Sequence, residues 1–468
     1  MTAARAGAAS ITLLLALACA ACLARIAATL GLHVSFDPNE GWNAYRAMAA
    51  MGGGPLYPPA GSLVFNNYPP LSFYFVGAVG KALGDYVVAG RIVSLAATLA
   101  IAAEIYLCLR LMGAGARASL FAALAFVGGL LAFSDYVGMD DPQLLGHAIG
   151  LLGLIVLLRE PRTPAAAICA ALAMALAGFV KHNLVAEPLA LTAWLVLFDR
   201  RSAAWFVASG AVFAIAGLIA FRLAYGAGLL EHLASARLWS VALLAKNAQD
   251  WLVWSEIPLL GLAALLWLSP RDSRVVLCAL YALVSAAVAA VFAGGAGVDA
   301  NIWFDAAVAL GLGQGLALEA MGANARLRAA AELAFVVPLV AGLALDWDGA
   351  WLERGFWLHP LSDERLSAAA DIAFLRAQDG PALCEELALC YWAGKAEAAD
   401  LFNLGQAFAT GARDDRSFAA AIADGRYSAA QFDSPSGVAL TPRIFRAFRT
   451  TYRIGRSGED GVILVPRR

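Results

Sequence analysis

Long apolar runs recur along the first 345 residues and are separated by short polar connections. A helix needs about 17–25 apolar residues to cross a bilayer, and about 11 runs approach or reach that length. The predicted spans are Ile11 to Leu32, Arg91 to Met112, Ala118 to Tyr136, Pro142 to Leu158, Thr163 to Val180, Leu184 to Phe198, Ala203 to Tyr225, Trp251 to Leu268, Val275 to Gly295, Ala300 to Gly322 and Ala329 to Leu345. The pattern predicts a polytopic α-helical membrane protein. The first run exceeds the core of a signal peptide, roughly 7–15 residues, so we expect it to stay as a span.

Arginines are concentrated in every second connection between the predicted spans. They are Arg110, Arg117, Arg159, Arg162, Arg200, Arg201, Arg271, Arg274, Arg326 and Arg328. Loops rich in Lys and Arg stay on the cytoplasmic side. We therefore expect a cytoplasmic N-terminus, and we expect the alternate loops and the C-terminal tail to face the periplasm of a bacterial inner membrane.

The segment from Tyr68 to Asp85 is apolar but opens with two prolines and contains Lys81. If this segment were a span, Arg110 and Arg117 would lie on the outer side. We therefore predict an interfacial helix on the outer leaflet, within a first outer loop of residues 33–90.

The composition becomes mixed and charged after Asp346, which predicts a soluble extracytoplasmic domain over residues 346–468, following a transmembrane domain over residues 1–345. The predicted elements are a helix over Asp363–Gln378 and strands over Ala382–Glu385 and Tyr452–Pro466. They indicate a small α/β domain. In an oxidising compartment, Cys384 and Cys390 can form a disulfide.

Composition and charge agree with a membrane location and narrow the partners. Apolar residues make up 61% of the chain and charged residues only 15%, whereas soluble domains are about one-quarter charged. The formal net charge is −2. Membrane lipids are therefore expected neighbours, and nucleic acid is not an expected partner.

Two carboxylates, Asp37 and Glu40, directly follow the first predicted span. A carboxylate at a membrane surface can act as a general base or bind a metal ion. A structural alternative is equally compatible with the residues: Asp37 before Pro38 is a good helix N-cap, and Glu40 completes a pattern like a capping box.

Three segments resemble motifs of the GT-C superfamily of membrane glycosyltransferases, especially its family 39-like branch, which includes protein O-mannosyltransferases and the aminoarabinose transferase of lipid A. They are DPNEGW to NNYPPL in the first loop, MDDPQ at Asp140 and Asp141, and VKHN at Lys181. Relatives tend to have adjacent Asp and Glu, whereas Asn39 precedes Glu40 here. The resemblance implies a GT-C fold of about 11 spans with a small C-terminal α/β domain.

The same resemblance implies a donor sugar on a polyprenyl phosphate and an acceptor hydroxyl on a glycan, lipid or protein. The implied catalytic residues are Asp37, Glu40, Asp140 and Asp141. The implied donor phosphate-binding residues are Lys181, His182 and Arg91, and the implied substrate-binding residues are Asn66, Asn67, Tyr68 and Asn183. Asp37 is the first choice for the base and Glu40 the second. The resemblance does not decide whether the protein needs a cofactor. If it needs a divalent cation, Mg²⁺ or Mn²⁺, the expected ligands are Asp37 and Asp141.

Two other functions use similar sequence features. A transporter or flippase of a lipid-linked or anionic substrate also needs polar residues among many spans, but such proteins usually contain internal repeats, and we find none that is convincing. The second alternative is a membrane scaffold whose outer domain binds a partner. A scaffold needs neither a carboxylate pair nor a KHN segment, so the presence of both argues against it. We therefore expect a glycosyltransferase.

Overall fold

The structure is a computed structural model, and it describes residues 2–59, 61–322, 324–345, 361–433, 440–458 and 461–467. The first 345 residues form a helical bundle. Its helices are α1 (Thr2–Thr29), α2 (Pro38–Met48), α3 (Leu71–Leu83), α4 (Tyr86–Leu111), α5 (Ala116–Phe133), α6 (Gln143–Arg159), α7 (Pro164–Val180), α8 (Ala186–Phe198), α9 (Arg200–Tyr225), α10 (Gly228–Leu233), α11 (Val241–Leu268), α12 (Ser273–Phe292), α13 (Phe304–Ala320) and α14 (Ala325–Leu345). A π-helical turn (Ala49–Gly53) follows α2, and a 3₁₀ turn (Ala300–Trp303) precedes α13.

Six helices in the described residues are long and apolar enough to cross a membrane. They are the Ala9–Thr29 part of α1 together with α4, α5, α9, α11 and α12. Several other apolar helices are shorter, among them α6, α7 and α8. The chain is therefore a helical membrane protein, whereas the count of about 11 spans stays a prediction.

Helices α4 and α11 begin well before the starts that the hydropathy pattern predicted for their spans. Helix α4 starts at Tyr86, where the Asp85 side chain accepts hydrogen bonds from two backbone N–H groups, so Arg91 lies inside the helix and not at its end. Helix α11 starts at Val241 with Ser240 as its N-cap, ten residues before the predicted start at Trp251. Arg91 in α4, and Lys246 and Asp250 in α11, interrupted the apolar runs and hid both helix starts.

Helix α3 occupies the segment for which an interfacial helix was predicted. Its 13 residues correspond to about 20 Å, which is shorter than the hydrocarbon core of a bilayer. Phe73 and Val76 are buried, whereas Phe75 is exposed. The helix itself is confirmed, and its orientation in a membrane stays a prediction.

Helices α7 and α8, which correspond to two neighbouring predicted spans, are short. They have 17 and 13 residues, or about 26 and 20 Å. The connection between them, residues 181–185, packs against α6 through Leu184, which lies at Gly146, and the first turn of α8 does so through Glu187, which lies at Gly150. Of the polar residues in this connection, Lys181 is buried, Asn183 is half-buried and His182 is exposed.

The C-terminal region contains a four-stranded sheet with helices. The strands are β1 (Ala382–Cys384), β2 (Ala429–Phe432), β3 (Tyr452–Gly458) and β4 (Gly461–Pro466), in the order β1-β2-β4-β3. The helices are α15 (Ser362–Arg376), α16 (Leu387–Trp392), α17 (Leu401–Ala409), α18 (Arg416–Ala423) and α19 (Pro442–Thr451). The helix predicted over residues 363–378 is confirmed, the stretch predicted over 452–466 is a hairpin, and β2 was not predicted. The predicted domain boundary at Asp346 lies outside the described residues.

The C-terminal domain packs on α2 and the first loop. A Cβ on Gly41 of α2 would lie 2.0 Å from the backbone nitrogen of Ala388 in α16, so only glycine permits this approach. The Trp42 indole donates to Asp400 at 3.1 Å, and the Tyr45 hydroxyl donates to the Lys395 carbonyl at 2.8 Å. The predicted Cys384–Cys390 disulfide is present, and it joins the end of β1 to α16.

Candidate active site

Asp37 caps the N-terminus of α2 and is half-buried. Its carboxylate accepts a hydrogen bond from the Asn39 N–H at 2.7 Å, and Pro38 takes the first helical position. Burial, repulsion by Asp135 and weaker repulsion by Glu40 and Asp299 raise the pKa of Asp37 to about 7. A carboxylate with a pKa near neutrality can accept a proton effectively at pH 7. The capping role and the role as a base are therefore compatible.

Glu40 is completely buried and paired with Arg91. Arg91 donates from Nε to Oε1 of Glu40 at 2.7 Å and from Nη2 to Oε2 at 2.5 Å. Glu40 also accepts from the N–H groups of Phe36 and Asp140. The remaining Arg91 donors bind three carbonyl oxygens before α2, those of Leu30, Leu32 and Val34. This pair fixes the loop that carries Asp37, and the Glu40 and Arg91 side chains are fully occupied.

The second acidic motif divides into two environments. Asp141 accepts from Nζ of Lys181 with both carboxylate oxygens, at 2.9 and 3.0 Å. Asp140 is buried against Gly90, where a Cβ would overlap its carboxylate. Burial and the charges of Glu40 and Asp141 raise the pKa of Asp140 well above its usual range. Asp141 therefore orients a lysine, and Asp140 is a buried acid.

A cavity of about 340 Å³ lies beside Lys181. The segments 67–68, 181–183, 233–239 and 291–302 contribute its walls. The polar side chains in the lining are Asn67, Tyr68, Lys181, His182, Asn183, Ser235, Arg237 and Asn301. Among the described residues that line it, none is Asp or Glu. The cavity is therefore suited to an anionic group.

The cations of the cavity are held in defined positions. Nζ of Lys181 lies 4.6 Å from the centre of the Tyr68 ring, and Arg237 donates to the Ala296 carbonyl at 3.0 Å. Partial desolvation and the positive charges of Lys181 and Arg237 lower the pKa of His182 to about 4. His182 is therefore neutral at pH 7 and can both donate and accept a hydrogen bond.

The structure brings together five of the residues selected from the sequence. Asn67, Tyr68, Lys181, His182 and Asn183 line the cavity. Asn66 is buried behind it, where its side-chain nitrogen donates to the Leu56 carbonyl and its oxygen accepts from the Tyr68 N–H.

The other residues selected from the sequence lie outside the cavity lining. They are Asp37, Glu40, Arg91, Asp140 and Asp141. Asp141 reaches the cavity only through Lys181. Arg237 and Asn301 were not selected as site residues from the sequence. Arg237 lies in the connection 226–250, which could close over a site but was interpreted rather as an interfacial helix, and Asn301 falls in a predicted span.

The donor atoms do not fit a metal ion shared by Asp37 and Asp141. Both oxygens of Asp141 accept hydrogen bonds from a lysine ammonium, which competes with a cation for the same lone pairs. Within the described ranges, no group of three or more His, Cys, Asp or Glu side chains is arranged to hold a metal ion. We therefore derive no reaction step through a metal.

Solved structures of membrane glycosyltransferases have the same architecture. ArnT from Cupriavidus metallidurans in the apo state matches with a TM-score of 0.63 at 15% identity, over 98% of each chain. Its structure bound to undecaprenyl phosphate matches with a TM-score of 0.63 at 17% identity, over 95% of this chain and 96% of that one. AglB from Archaeoglobus fulgidus matches with a TM-score of 0.56 at 10% identity, over 90% of this chain and 69% of that one.

These likenesses define the class: the chain has the fold of the GT-C membrane glycosyltransferases, as the first-loop motifs predicted. The ArnT structures cover nearly its entire length, including the C-terminal domain. By sequence, no family model and no curated protein matches the chain.

Proposed function

We propose that the chain is a glycosyltransferase that moves a sugar from a polyprenyl-phosphate carrier to an acceptor hydroxyl. One observation carries the proposal: a cavity with Lys181, His182 and Arg237 in its lining and no carboxylate among the described lining residues. A lipid phosphate is an anion that such a cavity can bind. The likeness to ArnT, whose structure was solved with undecaprenyl phosphate, supports this ligand.

In the proposed site, Lys181 and Arg237 bind the donor phosphate, and neutral His182 donates a hydrogen bond to it. Asp141 positions Lys181, while Asn67, Tyr68 and Asn183 contact the sugar or the phosphate. Donors aimed at the charge that develops on a leaving group stabilise the transition state by about 3 kcal/mol each. These residues therefore assist departure of the lipid phosphate.

Asp37 is the proposed general base. It removes the proton from the acceptor hydroxyl while the acceptor oxygen forms a bond to the anomeric carbon of the sugar. The bond from that carbon to the phosphate oxygen breaks, and its electron pair leaves with the lipid phosphate. The Glu40–Arg91 pair positions Asp37 by fixing the residues that precede α2, and the buried Asp140 supports Glu40 through its N–H group.

The proposal includes the topology expected from the arginine pattern. About 11 helices cross a bacterial inner membrane, the N-terminus is cytoplasmic, and the C-terminal domain of residues 346–468 is periplasmic. On that side the donor is lipid-linked, and the acceptor is a glycan, a lipid or a protein.

The test uses purified full-length protein in lipid nanodiscs with a panel of polyprenyl-phosphate sugars and an envelope extract as the acceptor source. Release of the lipid phosphate is measured by mass spectrometry, and carrier affinity is measured separately with undecaprenyl phosphate. We expect turnover with at least one donor. Asp37→Asn should lower turnover about 10²–10⁴-fold and leave carrier affinity unchanged.

A second variant tests the anion site without disturbing the buried Lys181–Asp141 pair. Arg237→Gln should weaken carrier binding about 10-fold, because a charge-assisted hydrogen bond is lost. Lys81→Met, at an exposed position of α3, is the control. Movement of a labelled carrier across the bilayer without release of lipid phosphate would instead support a flippase.

A further inference from the structure

A second, smaller crevice lies beside the 3₁₀ turn that precedes α13. It has a volume of about 50 Å³ and is enclosed by the end of α5, the first half of α11 and the turn itself. Its walls are partly aromatic. Trp251 and Trp303 stack with ring centres 4.5 Å apart, and Phe133 and Trp254 stack at 5.6 Å. These four aromatic residues are among the nine that line the crevice.

Two residues that line this crevice have an indole N–H without an acceptor among the described residues. Nε1 of Trp251 and Nε1 of Trp303 are buried, and neither binds an acceptor among the residues that the structure describes. The two residues are only 8% and 4% exposed. A buried indole N–H normally has a partner, so these two groups can donate hydrogen bonds to an oxygen atom of a ligand.

Acceptors line the same crevice. Asp250 pairs with Lys246 at 3.0 Å, and Asp299 accepts from the Ala300 N–H at 2.7 Å. Both aspartates have further lone pairs. A ligand that satisfies this site must accept from the indoles and donate to the carboxylates. Hydroxyl groups do both, whereas an ammonium group cannot accept and a phosphate would be repelled by the aspartates.

The crevice and the cavity share one wall. Val298, Asn301 and Ile302 line the cavity, and Asp299, Ala300 and Trp303 line the crevice. Asp37 lies near this wall, since the charge of Asp299 contributes to raising its pKa. A group in the crevice and a group in the cavity are therefore neighbours on opposite sides of one turn.

We infer that the crevice is a binding subsite for a saccharide, and that the acceptor of the transfer is a glycan whose hydroxyl groups contact Trp251, Trp303 and Asp299. The inference rests on the proposed function for the role as acceptor, but saccharide binding can be tested alone. A volume of about 50 Å³ admits the hydroxyl-bearing edge of a sugar, with the ring outside it.

The experiment is saturation-transfer NMR on the full-length protein in nanodiscs, because maltoside and glucoside detergents would compete. The probes are methyl α-glucoside, methyl α-mannoside and methyl β-galactoside, with choline and inorganic phosphate as comparators. The variants Trp251→Phe and Trp303→Phe keep an aromatic ring and remove the N–H. Trp267→Phe is the matched control, since Trp267 is 82% exposed.

We expect at least one glycoside to bind, and we expect each of the two variants to weaken it about fivefold while Trp267→Phe does not. Affinity for undecaprenyl phosphate should stay unchanged in all three variants. Binding of choline in preference to the glycosides, or glycoside binding that both variants retain, would overturn the inference, as would no glycoside binding.

The two proposals can fail separately. Tryptophan-dependent glycoside binding without turnover of any carrier would remove the transferase proposal and leave the saccharide subsite. Turnover of a carrier without glycoside binding would remove the saccharide subsite and leave the transferase proposal.

Discussion

Both carboxylate oxygens of Asp141 accept hydrogen bonds from the ammonium group of Lys181, across 40 residues of sequence. The side chains are 1% and 4% exposed. Lys181 also faces the cavity through its position against Tyr68. One buried ion pair thus holds a cation at the wall of the proposed donor site.

Lys181→Met should lower the free energy of unfolding by about 3–5 kcal/mol, because it leaves the Asp141 charge buried without a partner. The double variant Lys181→Met, Asp141→Leu should regain most of that stability and still bind undecaprenyl phosphate poorly. Thermal unfolding in nanodiscs and carrier affinity are the measurements. Recovery of carrier binding in the double variant would show that Lys181 is only structural.

Turnover should rise about tenfold per pH unit below pH 7 and level off above it, because the base acts in its deprotonated form and the pKa of Asp37 is about 7. Asp135 is the largest of the charges that raise this pKa. Asp135→Asn should therefore move the midpoint of the profile to lower pH. Asp424→Asn, at an exposed position of the C-terminal domain, should not move it.

Arg91→Lys should lower the free energy of unfolding by about 2–3 kcal/mol, since an ammonium group cannot replace a guanidinium that binds Glu40 and three carbonyl oxygens. Carrier affinity of the folded fraction should be unchanged. Chemical unfolding and undecaprenyl phosphate binding check the two statements. A variant with normal stability and weak carrier binding would favour the phosphate-binding role implied by the family resemblance.

Gly41→Ala should separate the C-terminal domain from α2, because its Cβ would overlap the backbone of α16 at Ala388. Hydrogen exchange in residues 387–392 should increase, and turnover should fall. Gly178→Ala is the control, since no heavy atom lies within 4 Å of a Cβ built there. Unchanged hydrogen exchange in the Gly41→Ala variant would mean that α2 and α16 are not in close contact at Gly41.

The residues that meet in the cavity were largely predictable from sequence. Lys181 directly follows one apolar run, and Tyr68 precedes another. Both lie in connections poor in arginine, which the positive-inside rule places on the same side of the membrane. The two residues are therefore expected at the same end of the bundle. Asp141 was expected at the same end for the same reason. Its contact with Lys181 was not predicted, because hydropathy does not report pairing between helices.

Other features depend on information that a local pattern does not contain. Arg91 lies within α4 because Asp85 caps the helix before it, and α11 starts early because Ser240 caps it. The charges of Arg91, Lys246 and Asp250 interrupt the apolar runs, so hydropathy did not show either start. The indole N–H groups of Trp251 and Trp303 lack an acceptor in the described part of the chain because of how α11 packs against the turn before α13. No sequence signal indicated them.

The 13-residue length of α8 has a consequence for the surrounding lipid. In the predicted topology α8 crosses the membrane, and a helix of about 20 Å beside spans of full length favours a thinner bilayer on that side. A carrier headgroup near α8 would then sink below the level of the surrounding phosphates while its tail stays among the acyl chains. On the proposed function, the carrier would enter the site sideways from this depression, and the sugar would not need to leave the membrane surface before transfer.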